Sequence, residues 1–120
     1  FMSFSEITII GYLGAEPDLK YTKNQNAVLN LSVGVGERIK KTDPKTKKAK
    51  TFWHKCRRWG EQAENSKTHL RKGDKVFIKG HLLYDTWEDK TGRHHKDAVI
   101  EIDYLEKMYF ENITINLGED

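Results

Sequence analysis

Apolar residues alternate with polar or small ones along much of this chain, which is the pattern of β-strands with one buried face. In the clearest case, residues 27–36, five apolar residues recur at every second position: Ala27, Leu29, Leu31, Val33 and Val35. Successive side chains of a strand point to opposite faces, so this period predicts a half-buried strand. The β-branched run at residues 7–13 predicts an earlier strand that ends at Gly14.

Turn-forming residues separate the predicted strands. Residues 15–18 predict a turn, because Pro17 cannot donate a ladder hydrogen bond and Asp18 favours local hydrogen bonds. A second turn is predicted at residues 24–26 and a hairpin turn at residues 89–92. The later segments that predict strands are residues 51–59, 75–87, 98–103 and, as an apolar addition at the end, 104–117.

One segment favours a helix. Residues 61–71 have helix-forming composition with a weak inner face at Ala63, Ser66 and Leu70, and Gly73 ends the helix. The predicted order is three strands, one helix and two strands. In a chain of 120 residues, this order predicts an all-β fold with one short helix. We expect a five-stranded OB-fold barrel with the helix between the third and fourth strands.

Length and composition predict one small domain. We assign residues 2–117 to that domain and 118–120 to a short tail, and we interpret Phe1 as the remnant of an expression tag. No apolar run reaches the length that spans a bilayer, which excludes a membrane-spanning helix. Cys56 is the only cysteine and no targeting segment is recognisable, so we expect a cytoplasmic protein.

The segment from residue 51 to 59 carries an unusual set of side chains. Trp53, Lys55, Arg57 and Trp59 lie two residues apart, so a strand places all four on one face. Indoles offer flat surfaces on which bases stack, and the cations between them can meet phosphates, as in proteins that bind unpaired nucleic acid. The alternative is that the tryptophans belong to the core and the cations are simply solvated.

Positive charge is concentrated, although the net charge is only +3. Seven cations follow one another with Asp43 as the only acid among them: Arg38, Lys40, Lys41, Lys45, Lys47, Lys48 and Lys50. We expect this run to form the tip of a long hairpin around residues 43–44 that contacts phosphates, although a solvated loop is the simpler alternative. Lys79 is a further candidate phosphate contact, and Trp87, beside the predicted hairpin turn, a further stacking residue.

The sequence indicates binding rather than catalysis. His94, His95 and Asp97 invite a metal site, but neighbouring residues of a strand point apart and no second cluster supports it. Cys56 lies on the strand face opposite the tryptophans and has no assembled base, so packing is its expected role. We therefore predict no catalytic residues, no metal site and no cofactor.

Four segments resemble, in the same order, the bacterial single-stranded DNA-binding proteins. They are residues 10–22 (IGYLGAEPDLKYT), the pair Trp53-His54, residues 70–80 (LRKGDKVFIKG) and residues 87–89 (WED). The resemblance implies an OB barrel, assembled as a homotetramer or otherwise a dimer, that wraps single-stranded DNA in replication, repair and recombination. It implies a nucleoid-associated bacterial protein whose base-stacking aromatics fall on Trp53, Trp59 and Trp87.

The sequence departs from that family in three places. The family's tryptophan on the basic hairpin falls at Ile39, so one stacking residue is missing. Its arginine-rich approach to the last tryptophan becomes residues 83–86 (LYDT), which removes phosphate partners. The family's long tail, whose acidic and Phe tip recruits other replication proteins, has no counterpart before the sequence stops at Asp120. We expect either a domain cut from a longer protein or a member without that route of recruitment.

Three other functions remain open at this point. A protein of the primosomal replication protein N type, acting in replication restart, is also a small OB protein without a long tail. A nuclease or an accessory domain of a synthetase would need clustered carboxylates or histidines near the basic segment, and the sequence has none there. A pure protein-interaction module would not bind poly(dT).

Overall fold

The computed structural model describes residues 3–36 and 50–109, which form six strands and one helix. In chain order the elements are β1 (Ile7–Leu13), β2 (Asp18–Tyr21), β3 (Ala27–Gly36), β4 (Thr51–Trp59), α1 (Glu61–His69), β5 (Lys75–Glu88) and β6 (His94–Met108). The predicted basic hairpin tip around residues 43–44 and the apolar residues 110–117 lie outside the described residues.

The strands form one sheet that closes into a barrel. Their order is β1-β5-β6-β4-β3-β2, and β1 also pairs with β3 through Tyr12↔Gly34 and Leu13↔Val33. All pairs are antiparallel except β4 and β6, which run parallel at Cys56↔Ile100. The closed Greek-key sheet with one helix is the OB fold, as the alternating pattern predicted.

The barrel interior holds the apolar residues of the alternating pattern. The fully buried side chains include Leu29, Val33, Cys56, Val76, Ile78 and Ile100. Helix α1 packs through the buried Ala63 and Ser66, and Leu70 follows it into the core, which confirms the predicted inner face. Among the described residues, no helix is long and apolar enough to cross a membrane.

Two predicted boundaries were wrong. Residues 18–21 form the short strand β2 paired with β3, where a turn was predicted through Asp18, so the helix follows the fourth strand rather than the third. Four residues are too few for a period of two to be recognised. The helix also ends at His69 and not at Arg71, because Leu70 takes an extended conformation (φ −98°, ψ 141°) that carries its side chain inward.

The β5–β6 hairpin is longer than predicted and carries one of the tryptophans away from the barrel. β6 runs without interruption to Met108, so residues 104–108 are its end and not a separate strand. A register shift between Lys79 and Gly80 leaves Asp103 of β6 without a partner, and the two strands pair on both sides of it. Beyond Leu83, the residues of β5 pair only with β6. Trp87 therefore lies near the tip of a two-stranded arm.

Candidate nucleic-acid interface

The strand register places all three tryptophans on the same outer face of the sheet. Residues that are directly opposite each other on paired strands point to the same side. Lys55 is opposite Val99, and Val99 is opposite Leu83, so Lys55 and Leu83 share a face. Counting by two along β4 and β5 adds the three tryptophans to this face: Trp53, Trp59 and Trp87. Trp53 is 59% exposed, Trp59 40% and Trp87 47%. These exposures exclude the alternative in which the tryptophans form part of the core.

The indole of Trp53 packs against two glycines. Trp53 is opposite Gly34 in the β3–β4 register, and the six-membered ring of its indole also lies over Gly14. A Cβ at Gly34 would stand 2.9 Å from Cζ3 of the indole, and one at Gly14 would be closer still. The two glycines leave space for the ring to lie against the backbone while its other surface stays in solvent. Gly34 and Gly14 therefore make room for a side chain of another strand.

Arg57 is bound by the carboxylate of Asp85. In the sequence, Asp85 stood out only because it lies in the segment that lacks the family's arginines. Asp85 accepts hydrogen bonds from both terminal nitrogens of Arg57, at 3.0 and 3.2 Å. These hydrogen bonds hold the pKa of Asp85 below its usual value, so the carboxylate stays ionised. The guanidinium also lies 5.7 Å from the ring centroid of Trp59. Arg57 therefore links β4, the hairpin and an indole, but its charge is already compensated.

Trp87 has contacts along its edge and on one face. Its Nε1 donates a hydrogen bond to Asp97 at 2.9 Å. The imidazole of His95 stacks on the indole, with ring centroids 4.3 Å apart and planes inclined by 18°. His95 Nε2 lies 2.7 Å from a carboxylate oxygen of Asp89. Hydrogen bonds from Thr91 and His95 lower the pKa of Asp89 to about 2.

The predicted cations differ in their surroundings. Lys55 is exposed on the tryptophan face, and Lys50 is exposed with its Nζ 5.3 Å from the ring centroid of Phe52. Lys79 lies on the barrel part of β5, opposite Thr8, with Glu6 at 3.8 Å. The remaining predicted cations, Arg38, Lys40, Lys41, Lys45, Lys47 and Lys48, lie outside the described residues. A role in binding phosphate stays a prediction for all of them.

The sequence missed the groups that surround Trp87. His95 and Asp97 were considered as metal ligands, yet one stacks on the indole and the other binds its N–H. The sequence did hold a signal for these contacts. His95 and Asp97 follow Trp87 by eight and ten residues across a predicted hairpin turn, which could have placed them opposite it. In residues 3–36 and 50–109, no three His, Cys, Asp or Glu side chains are placed to hold a metal ion.

Comparison with known proteins agrees with this geometry. A model of the Single-strand binding protein family matches residues 4–109, which span every strand and the helix. The chain belongs to this family. Its relatives in the Single-strand binding protein family include "Single-stranded DNA-binding protein 1" of Nostoc sp. strain PCC 7120 and "Single-stranded DNA-binding protein" of Anabaena variabilis. Each is 32% identical over 108 residues, which cover 89% of this chain and 85% of the relative.

Proposed function

We propose that this chain binds single-stranded DNA, with little dependence on sequence, along the outer face of β4 and the β5–β6 hairpin. The observation that carries the proposal is the presence of three exposed indoles on one face of the sheet. Each indole can stack with any base, because every base has a flat aromatic surface. Lys55 is exposed on the same face of β4 as Trp53, and we expect it to meet phosphates between stacked bases. Lys50 is also exposed, but its Nζ lies over Phe52, which faces away from Trp53.

Family membership supports roles in replication, repair and recombination, where single strands need protection. The match over residues 4–109 favours this function over the primosomal replication protein N alternative. We place the protein in the bacterial cytoplasm with the chromosome, and the lone buried thiol of Cys56 is in keeping with a reducing compartment. The proposed activity is binding, with no bond made or broken.

Titration with poly(dT) tests the proposal. We expect strong quenching of tryptophan fluorescence, because bases come to lie against the indole faces. Duplex DNA of equal length should bind far more weakly, since its bases are already stacked on each other. Replacing Trp53 or Trp87 with Ala should weaken binding about tenfold or more at every salt concentration, since stacking contributes roughly 1–3 kcal/mol per base. Equal affinity for duplex and single strand would refute stacking.

The basic segment requires a separate experiment. Phosphate contacts release counterions, so the logarithm of affinity falls with the logarithm of salt concentration by about 0.7 per contact on single strands. Replacing Lys45, Lys47 and Lys48 with Ala should flatten this slope by up to roughly two units if all three contact phosphates. An unchanged slope would show that these lysines belong to a solvated loop.

We also propose that the chain forms a homo-oligomer, a tetramer or otherwise a dimer. Exposed apolar side chains gather on the outer surface of β1, β5 and β6, where Ile10, Tyr12 and Tyr104 are each nearly half exposed. Phe77 lies opposite Ile10, and its ring is 6.1 Å from that of Tyr104. Among the described strands, residues 7–11 of β1 pair only with β5, which leaves one edge open for another strand.

Light scattering at micromolar concentration tests this assembly. We expect a mass two or four times that of the chain, and a smaller mass for Ile10→Glu, which places a charge on the apolar surface. The matched control is Tyr84→Glu, which alters an exposed aromatic residue on the hairpin arm instead. A monomeric wild-type protein would contradict the proposal.

A further inference from the structure

The surroundings of Trp87 restrict which part of its indole can meet a base. One face is covered by the imidazole of His95, at a centroid distance of 4.3 Å. The ring N–H is engaged by Asp97 at 2.9 Å. Although it is bounded on a face and on an edge, the side chain is still 47% exposed. The accessible surface therefore includes the indole face that lies opposite His95.

His95 is itself held in place. Asp89 lies 2.7 Å from its Nε2, and the same carboxylate group accepts hydrogen bonds from the backbone N–H groups of Thr91 and Arg93. The hairpin turn thus fixes Asp89, Asp89 fixes the imidazole, and the imidazole supports the indole. An exposed tryptophan without such contacts would sample several rotamers and would lose that freedom when a base stacked on it.

We propose that His95 and Asp97 are positioning residues for DNA binding, which hold Trp87 as a one-sided platform for a single base. This inference rests on the proposed function and names how one of its contact sites is built. The two residues act by ordering the indole in advance, so that less conformational entropy is lost on binding. The nearby carboxylates of Asp89 and Asp97 repel phosphate, which favours a base over the backbone at this position.

Substitutions at His95 separate stacking from hydrogen bonding. His95→Ala removes the ring beneath the indole and should weaken oligo(dT) binding roughly two- to tenfold, the range expected from losing one aromatic pair. His95→Phe keeps a flat ring but loses the bond to Asp89, and should restore most of the affinity. The control is His94→Ala, which removes the adjacent exposed histidine on the opposite face of the hairpin and should bind as the wild type does.

A double-mutant cycle shows whether His95 acts through Trp87. In a Trp87→Ala background, His95→Ala and Asp97→Ala should cause little further loss, because their effect depends on the indole. Additive losses would mean that His95 or Asp97 contacts DNA directly, and would overturn the inference. The inference would also be overturned if Trp87→Ala weakens binding while His95→Ala and Asp97→Ala both keep full wild-type affinity. If wild-type protein does not bind oligo(dT), or Trp87→Ala binds unchanged, the proposed function itself fails at this site.

Discussion

Releasing Arg57 from its carboxylate should strengthen DNA binding. Asp85→Asn keeps the shape of the side chain and one oxygen acceptor, but removes the negative charge that now faces Arg57 at 3.0 Å. The Arg57 side chain is 19% exposed, and both of its terminal nitrogens donate to Asp85 on the tryptophan face of the sheet. In the wild-type protein a phosphate must compete with Asp85 for this cation. In the Asp85→Asn variant the phosphate no longer competes with a negative charge.

The size of the effect follows from the solvation of the pair. A hydrogen bond to a charged group contributes roughly 1.5–3 kcal/mol when well formed. Because the Asp85 side chain is 38% exposed, we reduce the expected gain to about 1 kcal/mol. That corresponds to roughly fivefold tighter binding at low salt. One additional phosphate contact should also steepen the salt dependence by about 0.7.

Fluorescence titrations with oligo(dT) between about 50 and 200 mM salt measure both quantities. The matched control is Asp18→Asn, which changes the net charge equally but lies on β2 beside Lys20. If the two variants gain equally, the effect is one of net charge alone. If Asp85→Asn binds more weakly while it remains folded, the ion pair itself shapes the surface and the reasoning about competition is wrong.

Three further outcomes are expected. Gly34→Ala should displace the indole of Trp53 and weaken DNA binding severalfold in fluorescence titrations, whereas Gly36→Ala, where an added Cβ meets nothing within 4 Å, should not. Burial raises the pKa of the Cys56 thiol to about 12, so reaction with a disulfide reagent at neutral pH should be slow in the native protein and fast after denaturation; rapid native reaction would contradict this. The pKa of Asp89 is lowered to about 2. The stabilisation that its carboxylate gives the β5–β6 turn is therefore present above the pKa of the unfolded chain and lost as the pH falls through about 2. An Asp89 carboxyl resonance that titrates near pH ~4 in NMR would contradict this.

Local sequence was enough to predict the strands and the helix that bury an apolar face. The period of two in residues 27–36 and the weak inner face of Ala63, Ser66 and Leu70 both correspond to buried side chains. Such patterns are local because alternate residues of a strand share a face whatever the rest of the chain does. The strand β2 was missed because its four residues are ordered by pairing with β3 and not by a pattern of their own.

The sequence by itself determined which side chains could form the candidate site, since two-residue spacing put Trp53 and Trp59 on one face of β4. Only the tertiary structure decided what each of them contacts. Asp85 compensates Arg57 across 28 residues, His95 and Asp97 orient Trp87 from the neighbouring strand, and Gly14 leaves space for Trp53 from another part of the barrel. These contacts depend on the register between strands, which is fixed by the packing of the whole barrel and cannot be read from the spacing within one strand.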